Sequence, residues 1–276
     1  MSTDFDIRFA IDPSTAAAMG TDELRENFLI DDLFAAGEVR WTYTHYDRMA
    51  VGGAVPNGGA LALEAIKPTG TANFLDRREL IAVNIGEAGT ISVDGTDHAV
   101  GPRDMLYIGM GAKDVRFAGE GAKFYLLSAP AHASHPTTLL QKSGAKRLDL
   151  GSNETANERS IFQYVNADSV KTCQLVVGLT QFAPGSVWNT MPAHVHDRRM
   201  EAYLYVDLKP DAFVVHLMGE PDESRHLIVR NEQAILSPPW SIHCGAGTGA
   251  YTFIWAMAGD NVDYTDVEKV AMEDLR

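Results

Sequence analysis

The chain contains little cysteine. Only Cys173 and Cys244 occur among its 276 residues, too few for the disulfide framework of a small secreted scaffold. A structural disulfide between the two is an open alternative that a reducing cytosol disfavours. Cys244 directly follows His243, and neighbouring residues of a strand point to opposite faces. We therefore expect the Cys244 side chain in the core or wall and not among metal ligands.

Long apolar runs are also missing. No stretch approaches the about 20 apolar residues that cross a bilayer. The first residues, 1–6, lack the basic and apolar regions of a signal peptide. We therefore expect a cytoplasmic protein without a membrane span.

Basic residues are outnumbered by acidic ones. The chain has 23 Lys and Arg residues against 37 Asp and Glu residues, which gives a net charge of −14. Such a chain repels phosphate backbones and anionic lipids, so neither nucleic acid nor a membrane surface is expected as a partner. An anionic substrate would need local arginine or lysine side chains to overcome this field.

The sequence is rich in short strand-like runs. They are separated by turn residues such as Asp94-Gly95 and Gly101-Pro102. The runs cover residues 80–85, 89–93, 105–108 and 124–127, then 174–180, 202–206, 212–217, 226–229, 233–236 and 251–256. Many short strands without long alternating helices favour a jelly roll or barrel over a parallel α/β sheet.

The runs form two successive β-rich halves. We predict domains at 1–150 and 151–276, with a polar, irregular linker at 133–156. Helix-start residues and apolar spacing predict a helix at 21–29. The last segment, 262–276, is expected to be a short helix or tail.

The segment around His194 and His196 carries the chemistry. Residues two apart share one face of a strand, so both imidazoles project into the same space. A turn over residues 197–200 then returns Glu201 to that side. A proline-containing turn at 238–242 leads to His243 on another strand. We call His194, His196, Glu201 and His243 the four-ligand cluster.

Three imidazoles and one carboxylate suit Zn, Fe, Mn, Ni or Co, and ligand chemistry alone does not choose among them. Such a set leaves one or two coordination positions for water or substrate, as a catalytic site requires.

The four-ligand cluster resembles the metal site of the cupin superfamily. The first cupin motif, Gly…His-x-His-x(3–4)-Glu, is matched, although the spacing from Gly185 is longer than usual. The second, Gly…Pro-x-Gly-x-x-His, keeps Pro238 and the histidine but has Asn231 and Trp240 in place of its glycines. The resemblance implies an all-β dominated fold of two tandem cupin-type jelly-roll β-barrels, a bicupin, with a few short helices. The first half lacks the ligand pattern and is expected to be a metal-free barrel that serves structure or assembly.

A closer resemblance covers nearly the whole chain. Segments 129–137, 188–203, 219–227, 231–243 and 251–257 are similar to the 4-deoxy-L-threo-5-hexosulose-uronate ketol-isomerases, also called 5-keto-4-deoxyuronate isomerases. This family converts 5-dehydro-4-deoxy-D-glucuronate to 3-deoxy-D-glycero-2,5-hexodiulosonate in the breakdown of pectin and other uronate polymers. The resemblance implies one zinc ion per subunit on the four-ligand cluster and a homo-oligomer, commonly a hexamer.

The expected chemistry is an aldose–ketose shift. A Lewis-acidic metal bound to the substrate oxygens stabilises an enediolate, while a base carries the proton between C2 and C1. The sequence does not name that base: a metal-bound hydroxide, a tyrosine or another carboxylate all remain open.

The substrate carboxylate calls for a cation, best an arginine fork. Solvated arginines, structural ion pairs and core aromatics are the ordinary alternatives for each residue considered. The candidates for substrate contact are Arg159, Arg198, Arg199, Arg225, Trp188 and Tyr203.

Three alternatives keep the same ligands but change the function. A cupin dioxygenase would use Fe(II) and consume oxygen. A sugar-binding or regulatory cupin would not catalyse, although such a module has less need of an open Lewis acid. A purely structural metal site would support stability and have no isomerase activity.

Overall fold

The structure, a computed structural model of the chain, describes residues 4–276. Strands account for 44% of the chain and helices for 8%, so the prediction of a β-dominated fold with a few short helices is confirmed. Across residues 4–276, no helix is both long and apolar enough to cross a membrane.

The helices are short. Helix α1 spans Pro13–Ala18 and α2 spans Thr21–Phe28, as predicted for that segment. The side chain of Asp12 caps α1 by accepting a hydrogen bond from the backbone N–H of Thr15 at 3.0 Å. Single 3-10 turns occur at Lys67–Thr69, Phe74–Asp76 and Lys142–Gly144.

The strands of the described chain are short and numerous. They are β1 (Asp4–Arg8), β2 (Leu29–Ile30), β3 (Val39–Thr44), β4 (Ala50–Ala54), β5 (Leu61–Ala62), β6 (Arg78–Asn84), β7 (Gly89–Val93), β8 (Thr96–Val100), β9 (Met105–Ile108), β10 (Val115–Ala118), β11 (Phe124–Pro130), β12 (Thr138–Leu140), β13 (Lys146–Leu150), β14 (Arg159–Val165), β15 (Val176–Phe182), β16 (Trp188–Asn189), β17 (His194–Val195), β18 (Arg199–Val206), β19 (Val214–Glu220), β20 (Glu223–Val229), β21 (Ala234–Ser237), β22 (Cys244–Gly247), β23 (Thr252–Gly259) and β24 (Glu268–Lys269).

Two compact units interleave along the chain. The first comprises the described residues of Met1–Arg8 with Asp32–Ala145 and Tyr164–Val176, and the second comprises Phe9–Asp31, Lys146–Gln163 and Val177–Arg276. The division at residue 150 stays a prediction about independently folding domains. The predicted linker at 133–156 is wrong in part, because it contains β12 and β13, whose pairing with β9 and β14 overrides their polar composition.

The first unit is built from two sheets. Its seven-stranded sheet has the order β1-β3-β4-β11-β6-β9-β12, and its four-stranded sheet has the order β5-β10-β7-β8. Both sheets contribute to one apolar core, with Leu80, Leu106 and Phe124 from the larger sheet and Ile91 and Phe117 from the smaller. Alternation along each strand directs these residues inward, so the sheets are held together by burial of their facing sides.

The second unit repeats this arrangement. Its sheets have the orders β13-β14-β15-β23-β18-β21-β2 and β16-β22-β19-β20. The order β3-β4-β11-β6-β9 in the larger sheet of the first unit matches β14-β15-β23-β18-β21 in the second. The order β5-β10-β7-β8 in the smaller sheet matches β16-β22-β19-β20. The additional two-stranded sheet joins β17 to β24. The two units therefore share one topology, which the sequence indicated only as two β-rich halves.

A buried carboxylate holds the first unit together. Glu79 on β6 is fully buried and accepts hydrogen bonds from the backbone N–H groups of Cys173 at 2.7 Å, Gln174 at 2.8 Å and Leu175 at 3.0 Å. The hydroxyl of Tyr107 donates a fourth at 2.9 Å. A carboxylate tolerates this burial because its oxygens are well supplied with donors.

We expect Glu79→Ala to lower the free energy of unfolding by about 3 kcal/mol or more, because one buried amide, two partly buried amides and the buried Tyr107 hydroxyl lose their acceptor. Urea denaturation followed by circular dichroism measures the change. The matched control is Glu120→Ala, which removes an exposed carboxylate from a turn of the same unit. Equal unfolding midpoints for the two variants would contradict the role of Glu79.

Candidate metal centre

One hairpin-like segment supplies three members of the four-ligand cluster. His194 lies on β17, His196 directly follows that strand, and Glu201 is the third residue of β18. The turn is shorter than predicted, because β18 already begins at Arg199, which pairs with Gly259 of β23. Along β18, residues alternate between faces, so Glu201 and Tyr203 both face one cavity.

A tight turn supplies the fourth member. The backbone N–H of Ser241 donates to the carbonyl of Pro238 at 3.0 Å, and that of Ile242 donates to the carbonyl of Gly219 at 2.9 Å. His243 follows immediately before β22 and is buried. Cys244 is buried in a small apolar cluster with Ala193 and Ile242, and both cysteines are free thiols.

The four donor atoms converge. The Nε2 atom of His194 lies 3.1 Å from that of His196 and 3.0 Å from that of His243. Oε2 of Glu201 lies 3.0 Å from Nε2 of His196 and 2.9 Å from Nε2 of His243. All four donors lie within 4.8 Å of one another. Each imidazole therefore presents the same ring nitrogen to a shared point.

The outer ring nitrogens fix two of the imidazoles. Nδ1 of His196 lies 3.0 Å from the carbonyl oxygen of Asp266, and Nδ1 of His243 lies 3.2 Å from that of Ser241. A carbonyl only accepts, so these contacts assign the proton to Nδ1 and leave Nε2 with a lone pair in the neutral ring. Both lone pairs then face the Glu201 carboxylate, an arrangement that a divalent cation stabilises.

Electrostatics agree with a neutral imidazole beside an ionised carboxylate. Burial, together with the neighbouring rings of His243 and His196, lowers the pKa of His194 to about 2. Burial by itself raises the pKa of Glu201, but the positive charge of His243 and His196 and the hydrogen bonds they donate when Nε2 is protonated outweigh it and hold that pKa below its ordinary value. A divalent cation takes the place of those protons when it binds. The chemistry and convergence of these donors fit a divalent transition metal.

A buried arginine binds the loop that positions one ligand of the cluster. Arg199 is fully buried and donates from Nη1 to the carbonyl of Asp263 at 2.6 Å and from Nη2 to that of Asp266 at 2.7 Å. The Asp266 carbonyl is the same atom that accepts from His196. Arg199 is thus a positioning residue, since it holds the loop that orients one imidazole.

The cluster opens into a cavity of about 740 Å³. Its lining combines aromatic walls, a few hydroxyls and two basic side chains around the metal candidates. The lining residues outside the cluster include Arg159, Thr180, Thr190, Tyr203, Phe253, Trp255, Met257, Tyr264, Thr265 and Lys269. A cavity of this size and character suits a small polar ligand.

Two of the predicted substrate contacts line this cavity, namely Arg159 and Tyr203. Trp255 lines it as well. Arg159 donates from Nη1 to the carbonyl of Asn157 at 2.9 Å, and burial lowers the pKa of its guanidinium. Contact of either Arg159 or Tyr203 with substrate stays a prediction that this placement favours.

The other four candidates do not line this cavity. The exposed guanidinium of Arg198 pairs with the Asp266 carboxylate, and Arg199 is bound to the loop described above. Arg225 pairs with Glu223 at 2.7 Å and donates to the carbonyl of Ala17. Trp188 lies on β16 of the four-stranded sheet. Their placement therefore gives no support to substrate contact.

Sequence reasoning missed Lys269, Tyr264 and Thr265. They belong to segment 262–276, which was expected to end in a short helix or tail. No helix forms in that segment, and the short strand β24 within it was not predicted. This strand has only two residues and exists because it pairs with β17. Two residues carry no periodic signal, so the sequence offered nothing that would have placed them in the site.

The corresponding place in the first unit carries an apolar residue. Leu80 pairs with Ile108, the last residue of β9, as Glu201 pairs with Ser237, the last residue of β21. Leu80 is buried in the apolar core. A leucine has no atom that can bind a metal. The first unit therefore lacks the carboxylate ligand that the second unit has at this position.

Comparison with known proteins places this architecture in a family. The model of the KduI/IolB family matches residues 28–273. The chain belongs to the KduI/IolB family. A relative from Rhizobium meliloti, 64% identical over 99% of this chain and 98% of its own length, is named 4-deoxy-L-threo-5-hexosulose-uronate ketol-isomerase 2. Relatives from Cereibacter sphaeroides, 63% identical, and Formosa agariphila, 50% identical, are named 4-deoxy-L-threo-5-hexosulose-uronate ketol-isomerase and match over at least 99% of both chains.

Solved structures of distant proteins share the fold. An IolB-like protein from Salmonella typhimurium superposes with a TM-score of 0.75 at 16% identity, covering 88% of this chain and 97% of its own. An oxalate decarboxylase from Bacillus subtilis, a protein with Mn(II) centres, gives a TM-score of 0.55 at 13% identity, covering 80% of this chain and 71% of its own. At such low identities these matches support a cupin-like fold and not a shared activity.

We expect His243→Ala to lower metal affinity by more than about 100-fold, since changes even outside the ligand set cost about 10–100-fold. Metal per chain after dialysis is measured by inductively coupled plasma mass spectrometry. His226→Ala is the control, because His226 is exposed on β20. Retention of stoichiometric metal by the His243 variant would refute the ligand assignment.

We expect Arg199→Lys to lower metal affinity about 10–100-fold with all four candidate ligands intact, because lysine cannot bridge two carbonyls as the guanidinium fork does. Competition with a chromophoric chelator gives the affinity. Arg230→Lys, which alters an exposed arginine just after β20 of the same unit, is the control and is expected to stay within about twofold. If both variants bound metal as tightly as the parent, Arg199 would have no part in positioning His196.

Proposed function

We propose that this chain is a metal-dependent ketol-isomerase that converts 5-dehydro-4-deoxy-D-glucuronate to 3-deoxy-D-glycero-2,5-hexodiulosonate. The observation that carries the proposal is identity of 63–64% over essentially the full chain to proteins named for this isomerisation. The open four-ligand cluster supports it, because an aldose–ketose shift develops negative charge on adjacent oxygens.

The proposed resident ion is zinc, one per chain, on His194, His196, Glu201 and His243. Other divalent transition metals are compatible with the same donors. When bound, the ion supplies Lewis acidity toward the carbonyl and hydroxyl oxygens of the substrate. Arg199 and the Asp266 carbonyl keep His196 oriented for that role, and Tyr203, Phe253 and Trp255 contribute aromatic walls to the cavity.

Tyr203 is suited to hydrogen-bond donation. Burial, and next the charge of Glu201, raise the pKa of its hydroxyl well above the ordinary value of 10.0. The hydroxyl therefore keeps its proton at neutral pH and donates to an oxygen that becomes negative during the reaction. It is correspondingly a poor base, and Glu201 is the only carboxylate among the residues that line the cavity.

The wider setting follows from the same proposal. We propose that the two compact units are two cupin-type jelly-roll barrels, with the metal in the second. We also propose a homo-oligomer, a hexamer by family resemblance, that acts in the cytoplasm on uronates released from pectin and similar polymers. The shared strand order of the two units supports the first of these proposals.

The proposal predicts metal-dependent conversion of the uronate. The purified, zinc-loaded protein is given freshly prepared 5-keto-4-deoxyuronate, and the 2,5-diketo acid is followed by NMR with and without chelator. We expect product only with metal, and the same rate in the absence of oxygen. A metal-loaded, folded protein that formed no product would refute the isomerase, whereas oxygen-dependent turnover would favour an Fe(II) dioxygenase.

A further inference from the structure

A second basic side chain stands beside the metal candidates. Strand β24 pairs antiparallel with β17, and Lys269 lies directly opposite His194. Directly paired residues of neighbouring strands project to the same face. Lys269 therefore shares a face with the His194 imidazole, and it lines the same cavity. Glu268, the preceding residue, pairs with Val195 on the other face.

The charge of the cavity is opposite to that of the chain. The net charge of the chain is −14. The lining nevertheless contains two basic residues, Arg159 and Lys269, and one carboxylate, Glu201, which belongs to the four-ligand cluster. In the described part of the chain, no carboxylate forms an ion pair with Lys269. The cationic groups of the cavity can therefore bind an anionic ligand.

We propose that Lys269 binds the carboxylate of the uronate and, together with Arg159, selects uronates over neutral sugars. This inference rests on the isomerase function proposed above. The substrate is reactive at its carbonyl end and carries a carboxylate at the other, so it needs a metal site and a separate cationic site in one cavity. Arg159 on β14 and Lys269 on β24 approach that cavity from two different strands.

The two cations have different tasks. The half-buried guanidinium of Arg159 already donates to the Asn157 carbonyl, which fixes its position. Lys269 is exposed and has no such bond, so its flexible ammonium can follow the carboxylate as substrate enters. A neutral hydroxymethyl group in place of the carboxylate would forgo both charge-assisted contacts.

The test uses the full-length, metal-loaded protein and the variant Lys269→Met. We expect KM for 5-keto-4-deoxyuronate to rise about tenfold, with kcat within about threefold and metal content unchanged, because substrate binding is lost and the reacting end is untouched. Added salt is expected to raise KM of the parent protein more than that of the variant, since it screens a contact only the parent makes. Lys269→Arg is expected to restore most of the loss.

Lys209→Met is the matched control. Lys209 is exposed in the same unit and does not line the cavity, so its loss changes the net charge equally. An unchanged KM in Lys269→Met, with an active parent protein, would overturn the carboxylate contact and leave the isomerase intact. Loss of metal from Lys269→Met would overturn it too, by showing that Lys269 supports β17. An inactive parent protein would remove the proposed function itself.

Discussion

One backbone carbonyl connects the candidate metal centre to the rest of its unit. The Asp266 oxygen accepts from Nδ1 of His196 and from the buried guanidinium of Arg199. These two bonds join the loop after β23 to the start of β18, and they set which nitrogen of His196 faces the other ligands. The orientation of His196 therefore depends on a residue that supplies no ligand atom, and the cavity wall formed by Thr265 and Lys269 is fixed by the same loop.

The metal candidates were predictable because local rules govern them. The step of two from His194 to His196 and the return to Glu201 depend only on strand periodicity and a short turn. The shape of the cavity depends instead on pairing between distant segments. β24 has two residues and forms only against β17, so Lys269 appears in the sequence as part of a tail. Likewise, Arg198 and Arg199 are neighbours in sequence, yet one is exposed and the other fully buried.

The mostly-β class was also predictable, whereas the assignment of chain segments to the two compact units was not. Regular turns between apolar runs indicate short strands without revealing their partners. Residues 9–31 belong to the second unit, although Asp32–Ala145 of the first unit separates them in sequence from the rest of the second unit. In that segment, Arg25 donates to the carbonyl of Ile228, and Trp240 donates to that of Ile11. Contacts across more than two hundred residues leave no periodic mark in the sequence.

In each unit, one strand carries both a structural arginine and the position that corresponds to the carboxylate ligand. Arg78 begins β6 as Arg199 begins β18, and both guanidinium groups are buried and donate to backbone carbonyls. Two residues further along, the units diverge to Leu80 and Glu201. If the units arose by duplication, the arginine is the inherited part and the carboxylate is the variable one. A two-sheet unit of this kind then gains or loses its metal ligands by exchanging residues that face the cavity, while its strand order stays constant.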